Sequence, residues 1–410
     1  MKTPGLSLCA LLVCGVAAAT ACTTTTQLAR FQYTPNVNGL RNAASPLSYR
    51  VLHDFGADHD GIDPTGLVGI GDTFYGTSAG GGGWRGGGTV FSVTTSGAEN
   101  VLHRFGKGLM GLQPYAGVID LNGTLYGTTS SGGTFGDGTV FSMTTDGSEK
   151  VLHNFGNGSD GKYPSASLVA VNGALYGTTN AGGTNSCSPS EGCGTVFSIT
   201  TGGKEKVLHS FGKGTDGSFP YAPLIDISGT LYGTTAYGGE YGAGQTGTVF
   251  SITRDGAEKV LHSFAKGHDG ALPEAGLIYV SGKLYGTTWQ GGTQNSGTIF
   301  SVTRGGSERV LHSFGKGTDG TEAYGGLTDV GGTLYGTTIG GGNGCTRSVA
   351  CGIVFSMTTT GSEKVLHDFG KGTDGSGPLG YLTYKNGSLF GVTEQGGVKN
   401  GGTVFSLPVK

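Results

Sequence analysis

Charge is scarce in this chain: Asp, Glu, Lys and Arg make up 13% of its 410 residues and the formal net charge is −3, against a usual charged share of ~25%. No basic stripe occurs, nor any interleaving of basic with aromatic residues, which excludes nucleic acid as a partner. Beyond the first stretch, no segment sustains an apolar 3.6-residue period between capping residues, so essentially no helix is expected there. The apolar run from Leu6 to Ala19 falls short of the ~20 residues a membrane span needs, and no stop-transfer flank follows it. Also lacking is a group of His, Glu or Arg outside the repeating pattern, which an enzyme acting on polysaccharide would need for its acid, base or metal.

What the chain does have is a repeat. Val-Leu-His-x-Phe begins at Val51, Val101, Val151, Val207, Val260, Val310 and Val365. Around it recurs a unit that runs Gly-x-Leu-Tyr-Gly-Thr-Thr-x-x-Gly-Gly, then Gly-Thr-Val-Phe-Ser-x-Thr, then Glu-Lys-Val-Leu-His-x-Phe. A period near ~50 residues signals a solenoid, propeller or array. Each unit holds four short runs rich in β-branched and aromatic residues, here called strands a to d. In the second unit these are residues 118–122, 124–129, 139–144 and 150–155. Turn pairs such as Asn122-Gly123 and Asn172-Gly173 separate a from b, and Asp146-Gly147 and Asp255-Gly256 separate c from d. Such pairs supply the positive φ of tight hairpins, so a–b and c–d are antiparallel. The runs are apolar at successive positions, as in sheets covered on both faces. A small four-stranded sheet achieves that cover by stacking in a ring, which predicts an all-β fold, a seven-bladed β-propeller. The chain opens with an unpartnered d (residues 48–55) and ends with an unpartnered c (403–407). Pairing them closes the ring, removes two sheet edges and leaves a monomer as the expected state. Glycine, 85 of 410 residues, is about three times the ordinary ~7% and sits in turns and b–c loops.

Residues 1–21 read as a signal peptide: Lys2, the apolar run, then Ala19-Thr20-Ala21 as a cleavage site. Cys22 directly after the cut is a candidate for lipidation, with plain secretion as the alternative, and residues 22–47 suit a flexible tether to a propeller at 48–410. The membrane would then be reached only through the lipid. Cys187 and Cys193 share the b–c loop of the third unit, and Cys345 and Cys351 that of the sixth. Two local disulfides in an oxidising compartment are expected; zinc is disfavoured by the spacing and by the separation of the two pairs.

These motifs, Gly-x-Leu-Tyr-Gly-Thr-Thr, Gly-Thr-Val-Phe-Ser-x-Thr and Val-Leu-His-x-Phe, resemble the GloVer tandem repeat over residues 49–407. The resemblance implies a bacterial exported protein, variably anchored, and brings no enzymatic activity or catalytic residues with it. One unit departs from the pattern: Gly108-Leu109-Met110-Gly111 stands where the others carry Asp-Gly.

Several residues invite chemistry. The histidines His53, His103, His153, His209, His262, His312 and His367 all lie on strand d, the outermost of each blade, and are expected to hydrogen-bond a neighbouring strand or loop. Asp60, Asp160, Asp216, Asp269, Asp319 and Asp374 each precede Gly in the d–a loop; they read as turn formers, and calcium is the one cofactor they suggest. Gly76-Thr77-Ser78-Ala79-Gly80 matches a nucleophile elbow by coincidence, since no helix follows it. Asp120, Asp226 and Asp329 share one place on strand a, with hydrogen bonding across blades as the expected role. Aromatic residues are the strongest lead. Trp84, Trp289, Tyr237 and Tyr241 fall in b–c loops, and Tyr115 and Tyr221 follow Pro after d–a turns. Both sets of loops emerge on one face, where such rings suit sugar stacking or a protein partner in the envelope. The expected function is binding or scaffolding of a glycan or envelope protein. A polysaccharide lyase or hydrolase and a structural spacer are the alternatives.

Overall fold

A computed structural model describes residues 48–409 except 57–58, 84–85, 107–109, 188–190, 242–245, 266–267 and 344–350. Cys22, Trp84 and Cys345 therefore lie outside the described residues. Strands and turns account for all regular structure among those described, with no helix. Seven four-stranded antiparallel sheets form the blades of a β-propeller. In the second blade the strands are Ile119–Leu121, Thr124–Thr129, Thr139–Thr144 and Glu149–Asn154. Arg50–Asp54 pairs antiparallel with Thr403–Pro408, so the first strand of the ring completes the seventh blade.

The repeat letters are explained by packing. Glycine of Leu-Tyr-Gly-Thr lies opposite phenylalanine of Val-Phe-Ser, as Gly127 does Phe141 and Gly177 does Phe197. A Cβ on Gly177 would sit 2.6 Å from the Phe197 ring, so the glycine makes the room that the fully buried ring fills. Phenylalanine of Val-Leu-His-x-Phe then packs on the strand c phenylalanine of the next blade. Phe155 meets Phe197 at 5.1 Å, and the contact recurs at every interface including Phe55 on Phe91 across the closure. An aromatic pair of this kind adds ~0.5–1.5 kcal/mol beyond its burial. Seven interblade clusters result, and together they are the core.

Turn chemistry follows the sequence. Asn122 and Gly123 have φ of 55° and 80°, the type I′ requirement. The c–d turn glycines, such as Gly147 with φ 96°, also press against a backbone carbonyl of the preceding blade, that of Leu102. Strand d carries a bulge at that leucine in each unit, seen as the register shift between Val140 and Phe141 opposite it. Asp120, Asp226 and Asp329 accept from the backbone N–H of Gly123, Gly229 and Gly332. They cap the a–b turns rather than bridge blades.

Candidate functional site

Two constellations combine polar groups: one is repeated at the blade interfaces, the other is single and lies at the axis. At the interfaces, six of the seven histidines meet the aspartate seven residues on. Nε2 to Oδ2 distances are 2.9–3.3 Å, from His153–Asp160 to His262–Asp269. The same carboxylates accept backbone N–H groups, as Asp216 does from Gly212 and Lys213. This is the local reason for the Asp-Gly turn. The glutamate that opens strand d of the next blade completes the group. Glu205 stands beside His153 and Asp160, and Glu258 beside His209 and Asp216. Burial, more than the neighbouring aspartate, pushes Glu205, Glu258, Glu308 and Glu363 up to about 7. In all six units that carry it, one carboxylate oxygen of this glutamate is buried without a partner.

Two interfaces break the pattern. Seven residues after His103 stands Met110 in place of aspartate; the His103 Nε2 is buried without a partner, and burial lowers its pKa. In the seventh, Tyr49 takes the glutamate's place. Its ring stacks on His367 at 3.9 Å and its hydroxyl donates to the Asp374 carbonyl.

For a metal, His53/Asp60/Glu99 and His262/Asp269/Glu308 are the groupings among the described residues whose ligand atoms lie within 4.8 Å of one another. One imidazole nitrogen with two carboxylate oxygens suits a transition metal better than calcium, which takes six to eight oxygens.

The axial constellation is built by the loops of one face. There the d–a and b–c loops pair through short bridges such as Gly270–Gly291 and Ser218–Tyr237. The residue at the turn into strand a has φ of 56–62° at all seven positions, among them Phe219 and Leu272. An L-residue pays ~1–2 kcal/mol for that conformation. Two backbone hydrogen bonds hold it: Leu272 donates to Thr246 of the preceding blade (3.1 Å) and accepts from Trp289 of its own (2.9 Å). The next-but-one residue follows from this fixed turn, and here the blades differ. Tyr115, Ser165, Tyr221, Glu274 and Tyr324 share this position.

One contact joins the seventh blade to the fifth, and groups of blades four to seven lie within electrostatic reach of one another. Tyr324 of the sixth blade lies within electrostatic reach of Tyr221 of the fourth, Glu274 of the fifth and Glu394 of the seventh. Tyr381 of the seventh crosses to hydrogen-bond the backbone of Gly276 in the fifth, and a methyl on Gly276 or Gly326 would overlap it. Burial pushes Glu274 up to about 7. Glu394 is raised by burial and then by Asp63, itself raised by burial. Burial likewise raises Tyr221, Tyr324 and Tyr381. Among the described residues no Lys, Arg or His offsets any of these shifts.

Of the residues singled out by sequence, Tyr221 and Tyr237 join this group, both within reach of Glu274. Tyr237 also packs edge-on against Phe219 at 5.6 Å. Trp289 is half-buried in the same set of loops, whereas Tyr115 and Tyr241 are 46% and 61% exposed. Glu274, Tyr324, Tyr381, Glu394 and Asp63 escaped the sequence reading. Their signal was a departure from the repeat at a fixed register: Tyr381 stands where other units carry Gly117, Ser167, Pro223, Gly276 or Gly326. Cys187 and Cys193 form a disulfide (Cα–Cα 5.1 Å), and Cys351 is disulfide-bonded.

The family model described as the Gloeobacter/Verrucomicrobia repeat matches residues 38–190 and 183–350. No curated protein matches the sequence. Among solved structures, a puromycin-hydrolyzing peptidase of Mycobacterium tuberculosis is 13% identical, with a TM-score of 0.53 over 86% of this chain and 53% of that one. A puromycin hydrolase is 12% identical, with a TM-score of 0.54 over 82% and 50%. A Xanthomonas campestris gluconolactonase, 12% identical over 88% and 89%, has a TM-score of 0.43. The chain spans about half the length of the two hydrolases. At these identities the likeness is one of fold.

Proposed function

The chain belongs to the Gloeobacter/Verrucomicrobia repeat family, and from that premise we propose that it is an exported, lipid-anchored propeller that binds a glycan or an envelope protein at the axial mouth of its loop face. The observation that carries the reading is the departure from sevenfold symmetry. At the rim the interfaces repeat one another nearly unchanged, while at the mouth four consecutive blades bring Tyr221, Glu274, Tyr324, Tyr381 and Glu394 together. Packing alone would be served by the same residue in every blade. A concave apolar surface with a few convergent polar groups is what a ligand site requires. The leader, Cys22 and the tether support export and anchoring, and the cysteine pairs fit an oxidising compartment.

A glycan-array screen on residues 48–410 tests the binding reading. Binding lost on Trp289→Ala or Tyr324→Ala, with the thermal melt unchanged, is the expected result, and a silent array with no envelope protein retained by cross-linking would refute it in favour of a spacer. Anchoring is tested separately: Cys22→Ser should abolish incorporation of labelled fatty acid and release the protein from membranes. Calcium is tested by repeating the screen with a chelator.

A second reading, hydrolysis or elimination on a polysaccharide, has one observation in its favour. Glu274, pushed up to about 7, holds its proton near neutrality as a general acid must. Release of reducing ends by the wild type, abolished in Glu274→Gln, would establish it.

A further inference from the structure

The chain has nine histidines, of which seven are the repeating histidines of strand d. The other two, His59 and His268, each stand directly before a station aspartate, Asp60 and Asp269, where the remaining stations carry Ser159, Thr215, Thr318 and Thr373. The same two stations bring three ligand atoms together, His53/Asp60/Glu99 and His262/Asp269/Glu308, all within 4.8 Å of one another. Sequence and geometry select the same pair.

The turn explains the geometry. At the other four stations, Oδ1 of the aspartate accepts the N–H of the residue four back, as Asp160 does from Gly156 at 3.0 Å. At Asp60 and Asp269 it accepts instead from the glycine that follows, Gly61 at 2.7 Å and Gly270 at 2.8 Å. With the carboxylate so turned, the His–Asp separation is 3.2 and 3.3 Å, against 2.9–3.1 Å at the other four. That is long for a hydrogen bond. It is close to the ~3.3–3.6 Å edge of a tetrahedron whose nitrogen and oxygen ligands lie ~2.0–2.2 Å from zinc. A phenylalanine packed edge-on orients each imidazole, Phe55 at 4.6 Å and Phe264 at 4.8 Å. In both glutamates Oε1 is buried without a hydrogen-bond partner, a cost that a bound cation removes. His59 and His268 are exposed, one peptide bond from the carboxylate. Arg104 Nε donates to the His59 carbonyl at 3.1 Å and ties that residue to the strand that carries Glu99.

We propose that these two interfaces are zinc-type metal sites: His53, Asp60 and Glu99 with His59 as fourth ligand, and His262, Asp269 and Glu308 with His268. Two imidazoles and two carboxylates select zinc or a neighbouring divalent transition metal over calcium. Four protein ligands close the coordination shell, so the role is structural. The first site joins Arg50–Asp54 of the seventh blade to Glu99–Arg104 of the first, across the ring closure. The second joins Glu258–Ser263 of the fourth blade to Glu308–Ser313 of the fifth. Each is a clamp between blades.

The test is a calorimetric titration of zinc into the untagged full chain, stripped with a chelator and kept free of reductant so that Cys187–Cys193 stays bonded. Two ions per chain should bind and raise the thermal melt by ~3 °C or more at saturation. Cobalt(II) in place of zinc should give the intense visible absorption of the four-coordinate ion. His59→Asn, which tolerates the φ of 72° at that residue, and His268→Ala should each weaken their own site at least ~tenfold and leave the metal-free melt unchanged. Glu99→Gln with Glu308→Gln should abolish uptake, whereas Glu205→Gln, at a station without the extra histidine, should leave the count at two. No uptake by the wild type, or metal lost equally on Glu205→Gln, would overturn the proposal. A count of two with affinities untouched by both histidine changes would overturn the assignment of the fourth ligand.

Discussion

The second interface lacks its aspartate, and restoring it should stabilise the ring. His103 Nε2 is buried without an acceptor where six other stations place a carboxylate 2.9–3.3 Å away. Met110→Asp supplies that carboxylate at the same sequence distance. A buried donor or acceptor left unmade costs ~1–3 kcal/mol. The half-buried methionine gives up at most about 1 kcal/mol of apolar burial. The net expectation is a gain of roughly 0.5–2 kcal/mol, read as a higher urea midpoint at unchanged slope. The gain should depend on pH. His103 is held below its ordinary value by burial, so the unfolded chain takes up a proton first as pH falls. Stability from this site is therefore present above pH ~6.5 and lost below it. An adjacent carboxylate raises the pKa of the imidazole and abolishes that loss, which NMR titration of His103 will show. The reverse change, Asp160→Met, removes the partner of His153 and the acceptor of the Gly156 N–H and should cost ~2–4 kcal/mol. Should Met110→Asp leave the midpoint where it was or lower it, while Asp160→Met proves harmless, the stations contribute nothing to stability and the reasoning fails.

Gly177→Ala places a methyl 2.6 Å from the buried Phe197 ring and 2.9 Å from Leu168; overpacking should cost ~1–3 kcal/mol in thermal denaturation, and a neutral result would show that the ring has room to move. The strand d glutamates held at about 7 against an ordinary 4.5 bind protons in the folded chain that the unfolded chain has lost. Their contribution to stability should therefore be full below pH 4.5 and decline as pH rises from there to 7. Denaturant titrations across pH 5–8 will check this, and a curve that rises instead would contradict it. Tyr49→Ala removes the stack on His367 and the hydroxyl that donates to Asp374, for a loss of ~2–4 kcal/mol. Deleting residues 48–55 should go further and open the ring, with oligomers in light scattering; a stable monomer would show that closure is dispensable.

The architecture was legible because a β-propeller writes each structural demand seven times. Strands b and c of the second blade fall at the residues expected, and strands a and d within two. The expected ring closure is observed, because an unpaired d at one end and an unpaired c at the other admit one economical solution. The histidine stations were half visible. His and Asp each stood out, and their constant separation of seven residues in six units was the signal that would have joined them. Their glutamate partner was beyond reach, since it lies in the following unit and adjoins them only through the packing of one blade on the next.

The mouth was less legible for the opposite reason. A search for chemistry looks for motifs, and in a repeat protein the motif is the scaffold; information about a ligand resides where a unit breaks step. Each break found here has an identifiable physical consequence. Met110 leaves an imidazole unpaired, Tyr49 trades a carboxylate for a stack at the seam, and Tyr381 fills space that glycine leaves in its neighbours. Two of these concern the ring itself, and the third packs against Gly276 and Gly326 of the two preceding blades. Sevenfold repetition places equivalent side chains around the channel without favouring any ligand shape. Tyr221, Glu274 and Tyr324 at one register position, with Tyr381 and Glu394 at two others, break that symmetry in blades four to seven.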